Sequence, residues 1–215
     1  ELMPHPNTMI FEGYINHNLI AKETIISVGG GSIKVLGEPL LELQDVYPHK
    51  NLYEIKNYCK EKNIDYASYV YRFDLDIKPY LEKIYDTMLN AIQRGIESEG
   101  TLHGDLHVIR KAKSLYNAHK KESDELQRKR RLIAYAYAVA EENASGGEIV
   151  TAPTCGASGI IPSCLRTMLE AGISKDKLID GLAVAGLFGN LIKFNASISG
   201  AEAGCQAEVG SACSM

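Results

Sequence analysis

No long uninterrupted apolar run occurs in this 215-residue chain. The most apolar stretch, Leu178 to Phe194, is interrupted by Asp180, Asn190 and Lys193 and reads as a buried helix. Charge of one sign is missing too: 23 basic against 27 acidic side chains leave a net charge of −4, which offers no footprint for nucleic acid or an anionic membrane. The one basic cluster, Arg128-Lys-Arg-Arg131, follows Glu122-Ser-Asp-Glu125 at helical spacing and reads as a solvated, salt-bridged face. Cysteines number five, which is no disulfide framework of the small-domain type, and no secretory signal opens the chain. A reducing cytoplasm is the expected compartment. Phosphate motifs are incomplete as well. Gly29-Gly-Gly-Ser32 follows a strand, but neither Gly-Lys-Ser/Thr nor G-x-G-x-x-G accompanies it, so it reads as a flexible exit from a sheet.

What is present divides into a short β region and a long helical one. Met9 to Ile15 and Leu19 to Val28 are rich in β-branched and aromatic residues, and Asn16-His-Asn18 between them is turn chemistry, so the pair reads as a hairpin. Residues 34 to 50, with mixed polarity and two prolines, read as a connection. Helical periodicity follows. Asn51 to Glu61 places Cys59 on an apolar face as a structural residue; Lys78 to Ser98 turns Tyr80, Leu81, Ile84, Tyr85, Met88, Leu89 and Ile92 inward. Ser123 caps a helix to about Asn143, and Gly156 to Ala171 and Lys175 to Lys193 form two more, the last with Ser174 as N-cap and Gly181, Gly186 and Gly189 for close approach. The expected fold class is α+β, with residues 1–46 forming a partial β region and linker and 47–215 a helical domain. His103 and His107 bracket Gly104-Asp105 and read as surface or loop histidines.

The chemistry concentrates in the last third. Cys155 sits in Thr-Ala-Pro-Thr-Cys-Gly-Ala-Ser-Gly, and Cys205 and Cys213 lie in Asn195-Ala-Ser-Ile-Ser-Gly-Ala-Glu202-Ala-Gly-Cys-Gln-Ala-Glu208-Val-Gly-Ser-Ala-Cys-Ser-Met. Small neighbours let backbone approach a bulky inorganic group, and thiolates are soft ligands for zinc, copper(I) or iron–sulfur clusters. Zinc is the poorer fit, because its structural sites bring thiols as closely spaced pairs. On one straight helix Cys205 and Cys213 would stand roughly 12 Å apart, at a rise of about 1.5 Å per residue, so a bend is expected at Gly204 or Gly210. Spacing alone leaves open a second reading, in which these are small cysteines lining helix contacts.

From Glu148-Ile-Val-Thr-Ala-Pro-Thr-Cys155-Gly-Ala-Ser-Gly-Ile-Ile-Pro through the Asn195 to Met215 segment, the chain closely resembles the catalytic domain of the iron–sulfur L-serine dehydratases. Ser27-Val-Gly-Gly-Gly-Ser-Ile, Arg94-Gly-Ile-Glu-Ser-Glu-Gly and Glu141-Glu-Asn-Ala-Ser-Gly-Gly also resemble that family, so the likeness covers nearly the whole chain. It implies a lyase of amino-acid degradation that converts L-serine to pyruvate and ammonia with a 4Fe-4S cluster and no pyridoxal phosphate. The implied partners are L-serine and further copies of the chain, with no nucleic acid and no membrane. Cys155, Cys205 and Cys213 are the implied cluster ligands. Thr154, Asn195, Ser197 and Ser199 are candidates for the substrate carboxylate and ammonium, and Glu202 or Glu208 for the base or for orienting a ligand. For each polar residue, capping or loop hydrogen bonding is an equally good reading.

The chain departs from the family pattern in three places. Many relatives place a cysteine where this sequence has Ser158, and the thiol here lies three residues earlier, at Cys155. The amino-terminal Ser-Ser-Ser-His-Thr element is absent, and relatives continue past Cys-Ser-Met. The chain therefore resembles the central portion of a longer enzyme, and the piece alone is expected to hold a cluster poorly. Two alternatives stand beside dehydration: a cysteine desulfidase on the same scaffold, and a zinc-binding or metal-free helical interaction module.

Overall fold

A computed structural model describes residues 5, 7–29, 32–38, 46–118, 121–195 and 205–215. Three antiparallel strands open it, β1 (Thr8–Ile15), β2 (Asn18–Gly29) and β3 (Ser32–Val35), in the order β1-β2-β3. Asn16 and His17 both take positive φ, at 46° and 64°, the tight two-residue turn that matches strand twist. The glycine tract read as an exit from the sheet instead leads back into β3. The alternating Ile33 and Val35 are good strand residues, and Ser27 and Ile25 of β2 are their register partners. The sheet buries little: Ile26 belongs to the buried core, while Phe11, Tyr14, Ile15 and Ile20 are exposed.

Eight helices follow among the described residues: α1 (Leu52–Lys62), α2 (Tyr66–Phe73), α3 (Ile77–Glu97), α4 (Ala112–Tyr116), α5 (Asp124–Ala144), α6 (Ile160–Glu170), α7 (Lys175–Asn195) and α8 (Cys205–Ser214). An α+β architecture is therefore observed. The starts of α1, α2 and α5 are set by Asn51, Asp65 and Ser123, whose side-chain oxygens accept the backbone N–H of Glu54, Ser68 and Leu126. Helix α2 is poorly announced by its aromatic and β-branched sequence. Burial of Tyr69 and Val70 holds it in place.

The main core joins Ile55 and Cys59 of α1, Tyr69 and Val70 of α2, Leu81, Tyr85 and Met88 of α3, and Leu178, Ile179, Leu182 and Leu187 of α7. Tyr80, expected inward, is exposed, because it falls at the flank of the face that α3 buries through Leu81, Tyr85 and Met88. Helix α7 is long and apolar enough to span a membrane by composition, yet its apolar face lies in this core. Asp180 within it accepts a hydrogen bond from the Tyr71 hydroxyl at 2.8 Å. Of the three α7 glycines expected to admit neighbours, Gly189 does so, against Met215; Gly181 and Gly186 face open space. The close contacts lie elsewhere. A β-carbon on Gly95 of α3 would overlap the Ala138 carbonyl of α5, and one on Gly159 would sit 2.7 Å from the Ala136 carbonyl. The basic run of α5 is paired, but only Lys129 with Glu125, at 2.7 Å, is the expected solvated pair: Arg130 meets Glu122 at 2.9 Å in a largely buried pair, and Arg131 reaches Glu170 of α6 at 3.9 Å.

Candidate active site

Buried carboxylates at the end of α5 organise the approach to Cys155. Glu142 is 6% exposed and accepts from Arg94 Nε of α3 at 3.0 Å and from Arg110 Nη1 at 3.5 Å. The same Arg94 donates through Nη2 to the carbonyl of Glu148, so one guanidinium ties the end of α3 to the chain running towards Cys155. A side chain at Gly147 would strike Glu142 Oε2 at 2.6 Å, which explains a glycine there. Glu141, also buried, accepts at Oε1 from the backbone N–H groups of Lys111 and Ala112 at the start of α4, and its Oε2 has no partner among the described residues. Three segments that look unrelated in sequence thus meet around one ionic anchor: Arg94-Gly, Glu141-Glu-Asn-Ala-Ser-Gly-Gly and the extended segment into Thr-Ala-Pro-Thr. Their meeting was not legible from spacing.

Beyond the anchor the chain turns sharply, through a cis Ala152-Pro153 bond, and reaches Cys155. Helix α6 starts at Ile160, four residues later than periodicity suggested, because residues 156–159 form the turn. Ser158 is 1% exposed; its hydroxyl donates to the Cys155 carbonyl at 2.7 Å and its N–H reaches the same oxygen at 3.3 Å. It props the turn from inside. The Cys155 thiol is exposed, with Thr151 Oγ1 3.7 Å from its sulfur. Thr154 beside it is half-buried.

The second thiol segment is α8, which packs on α6 and α7. Cys213 is exposed and free, while Ser211 and Ala212 are buried. Cys164 of α6 lies within electrostatic reach of Cys213. Partial burial pushes the Cys164 thiol above its usual range, and Cys213 adds to that. Nothing in the spacing of the cysteines announces that proximity, because it arises from helix packing. Of Cys205 and Glu208 the backbone alone is described. Ser197, Ser199 and Glu202 lie outside the described residues. Asn195 ends α7 and bonds the carbonyls of Leu191 and Lys50, at 2.8 and 3.2 Å. His103 and His107 are exposed on a loop.

Comparison with known proteins agrees with the motifs gathered here. The family model described as serine dehydratase alpha chain matches residues 37–215. The chain belongs to that family. It is 39% identical over 216 residues to the L-serine dehydratase of Haemophilus influenzae, covering 93% of this chain and 48% of that protein. L-serine dehydratase 1 of Escherichia coli is 37% identical over 228 residues, covering 98% of this chain and 50% of the relative. The L-serine dehydratase of Streptomyces coelicolor is 37% identical over 227 residues with the same two shares. The chain spans about half the length of the curated relatives it matches.

For this member of the serine dehydratase alpha-chain family, the thiols fit an iron–sulfur cluster in donor chemistry. They are soft, and the four described ones are free. Their spacing is a different matter. The bend expected between Cys205 and Cys213 is absent: α8 runs from Cys205 to Ser214 as one helix, with the Ser211 and Ser214 hydroxyls bonded back to the Ala207 and Gly210 carbonyls at 2.7 and 2.8 Å. Gly210 permits a bend but does not impose one, and Gln, Ala and Glu favour helix. The two cysteine positions therefore stand roughly 12 Å apart along the axis, at about 1.5 Å rise per residue. Among the described residues no three His, Cys, Asp or Glu side chains form a metal-holding group.

Proposed function

We propose that this chain is the central part of an iron–sulfur L-serine dehydratase, a lyase that takes L-serine to pyruvate and ammonia. The observation that carries this reading is the exposed Cys155 thiol on a turn held by the Arg94–Glu142 anchor, with the Ser158 hydroxyl turned inward, in a chain of the serine dehydratase alpha-chain family. Cys155 then takes the ligand role that a cysteine at position 158 has in many relatives, with Cys205 and Cys213 as the other two thiolates. When bound, a 4Fe-4S cluster with one open iron supplies a Lewis acid for the departing hydroxyl.

The protein's own residues do the rest. Thr154, Asn195, Ser197 and Ser199 hold the substrate's carboxylate and ammonium. Glu202 or Glu208 accepts the Cα proton as the Cβ–O bond breaks and passes it to the departing hydroxyl, leaving aminoacrylate and water. Aminoacrylate tautomerises to the imine, and water hydrolyses it to pyruvate and ammonia. No pyridoxal phosphate takes part. Residues 1–46 belong to a separate β region, 47–215 to the catalytic domain, and the enzyme works as a homo-oligomer in the cytoplasm. The free described thiols support such a reducing compartment.

The test is anaerobic reconstitution of the full-length protein with iron and sulfide. Cys155→Ala, Cys205→Ser and Cys213→Ser each lose iron, whereas Ser158→Ala and Cys59→Ser keep it, and the wild type releases pyruvate from L-serine. Full iron retention in Cys155→Ala removes that residue from the ligand set. A colourless protein holding zinc overturns the cluster. Hydrogen exchange followed alongside shows amides of 205–214 losing protection on reconstitution; unchanged protection there with iron bound contradicts the unwinding of α8. The 215-residue piece alone binds little iron and turns over little serine, and turnover equal to that of the full-length protein refutes this expectation.

A further inference from the structure

Thr151 stands four residues before Cys155, and its hydroxyl meets the thiol. Oγ1 lies 3.7 Å from the Cys155 sulfur, within hydrogen-bond reach for so large an atom. While the sulfur keeps its proton, either group can donate. Once the thiol is ionised to ligate a metal, the sulfur carries no proton and only accepts, so the hydroxyl must be the donor. The metal-binding state of the cysteine thus sets the direction of the contact.

Both ends of that contact are fixed by the fold. The neighbours of Thr151 turn inward: Ala152 is buried, and Val150 packs against the main core. Side chains alternate along an extended segment, so Thr151 faces outward, where it is exposed beside the exposed thiol. Upstream, Arg94 Nη2 holds the Glu148 carbonyl; downstream, the hydroxyl of buried Ser158 holds the Cys155 carbonyl at 2.7 Å. Thr151 is β-branched and therefore stiff at χ1. A stiff side chain on a pinned segment loses little entropy in keeping its hydroxyl at the sulfur.

We propose that Thr151 is a positioning residue for the metal thiolate: its hydroxyl donates to the Cys155 sulfur, orients that sulfur and draws charge from it. The proposal rests on the reading of Cys155 as a ligand of an iron–sulfur cluster. A donor at a cluster sulfur stabilises the reduced, more negative state more than the oxidised one, and so raises the reduction potential. Packing alone would not do this, which separates the proposed role from a structural one.

The experiment uses the full-length protein, reconstituted anaerobically with iron and sulfide, as wild type, Thr151→Val, Thr151→Ser and Cys155→Ala. Two quantities are measured: the midpoint potential by spectroelectrochemical titration, and the rate of iron loss to a ferrous chelator. Valine keeps the shape and removes the donor. Thr151→Val shifts the reduction equilibrium about tenfold towards the oxidised state, about 59 mV for one electron, and loses iron faster. Thr151→Ser restores both quantities to within about twofold of the wild type. A potential in Thr151→Val within about twofold of the wild type, or a Thr151→Ser that behaves as valine does, overturns the proposal. Should Thr151→Val hold too little iron to titrate, iron content decides: recovery in Thr151→Ser supports the hydroxyl, and a serine variant as empty as the valine one overturns it. Full iron in Cys155→Ala sinks the ligand reading and the proposal together, as does a wild type that holds zinc. Iron loss in Cys155→Ala beside a wild-type potential in Thr151→Val sinks the proposal alone.

Discussion

The Cys155 turn and helix α8 both present thiols, and they are built in opposite ways. The turn is over-determined: Arg94 grips Glu142 and the Glu148 carbonyl, Gly147 and Gly159 admit close backbone, and Ser158 closes the loop from inside. Helix α8 is held by packing on α6 and α7 and by Met215 at Gly189, with its serines bonded within the helix itself. The difference teaches where a site is preorganised and where it must adapt. A thiol on a clamped turn can wait in position, whereas two thiols on one short helix must move to share a ligand. A segment with few long-range ties is the less costly one to unwind.

Removing the clamp tests the contrast most strongly. Glu142→Ala leaves Arg110 nearly buried without its carboxylate and releases Arg94, and the expected loss is about 3 kcal/mol or more in urea unfolding. A loss below about 1 kcal/mol means that the anchor does not hold the turn. Alkaline pH strikes the helical core and spares the anchor. Burial pushes the Tyr69 hydroxyl up to about 12, so the folded state keeps it neutral while the unfolded chain ionises near 10. That stabilisation, on the order of 2 kcal/mol, is fully present below pH ~10 and is lost as pH rises towards 12. In Tyr69→Phe this part of the pH dependence disappears, and an unchanged alkaline limb places its origin elsewhere.

Smaller changes sharpen the comparison at each thiol. Ser158→Ala removes one buried hydroxyl that satisfies the Cys155 carbonyl, and thermal unfolding registers about 1 kcal/mol. Gly189→Ala is the mildest. Its β-carbon meets the flexible end of Met215 at 2.8 Å, which can swing aside, so the expected cost stays under about 1 kcal/mol with loosening confined to α8 by hydrogen exchange. A global loss of several kcal/mol there shows α8 to be as tightly built in as the turn.

The sequence by itself determined the local elements and the donor chemistry. Turn residues at Asn16-His17, caps at Asn51 and Ser123, and 3.6-residue periodicity in α3 act within a few residues of chain, so their signals survive in one dimension. Cys59 on an apolar face and the exposed Glu125–Lys129 pair of α5 were legible for the same reason. The tertiary structure alone decided what depends on distant partners. It brought Arg94, Arg110 and Glu142 to one anchor, turned Ser158 inward beside an outward Cys155, placed Cys164 near Cys213, and fixed the Asn195 amide against Lys50, 145 positions away. It also kept α8 straight through Gly210, where sequence reasoning expected a bend for a cluster's sake. Glycine widens the conformations a chain can take, and packing against α6 and α7 selects among them.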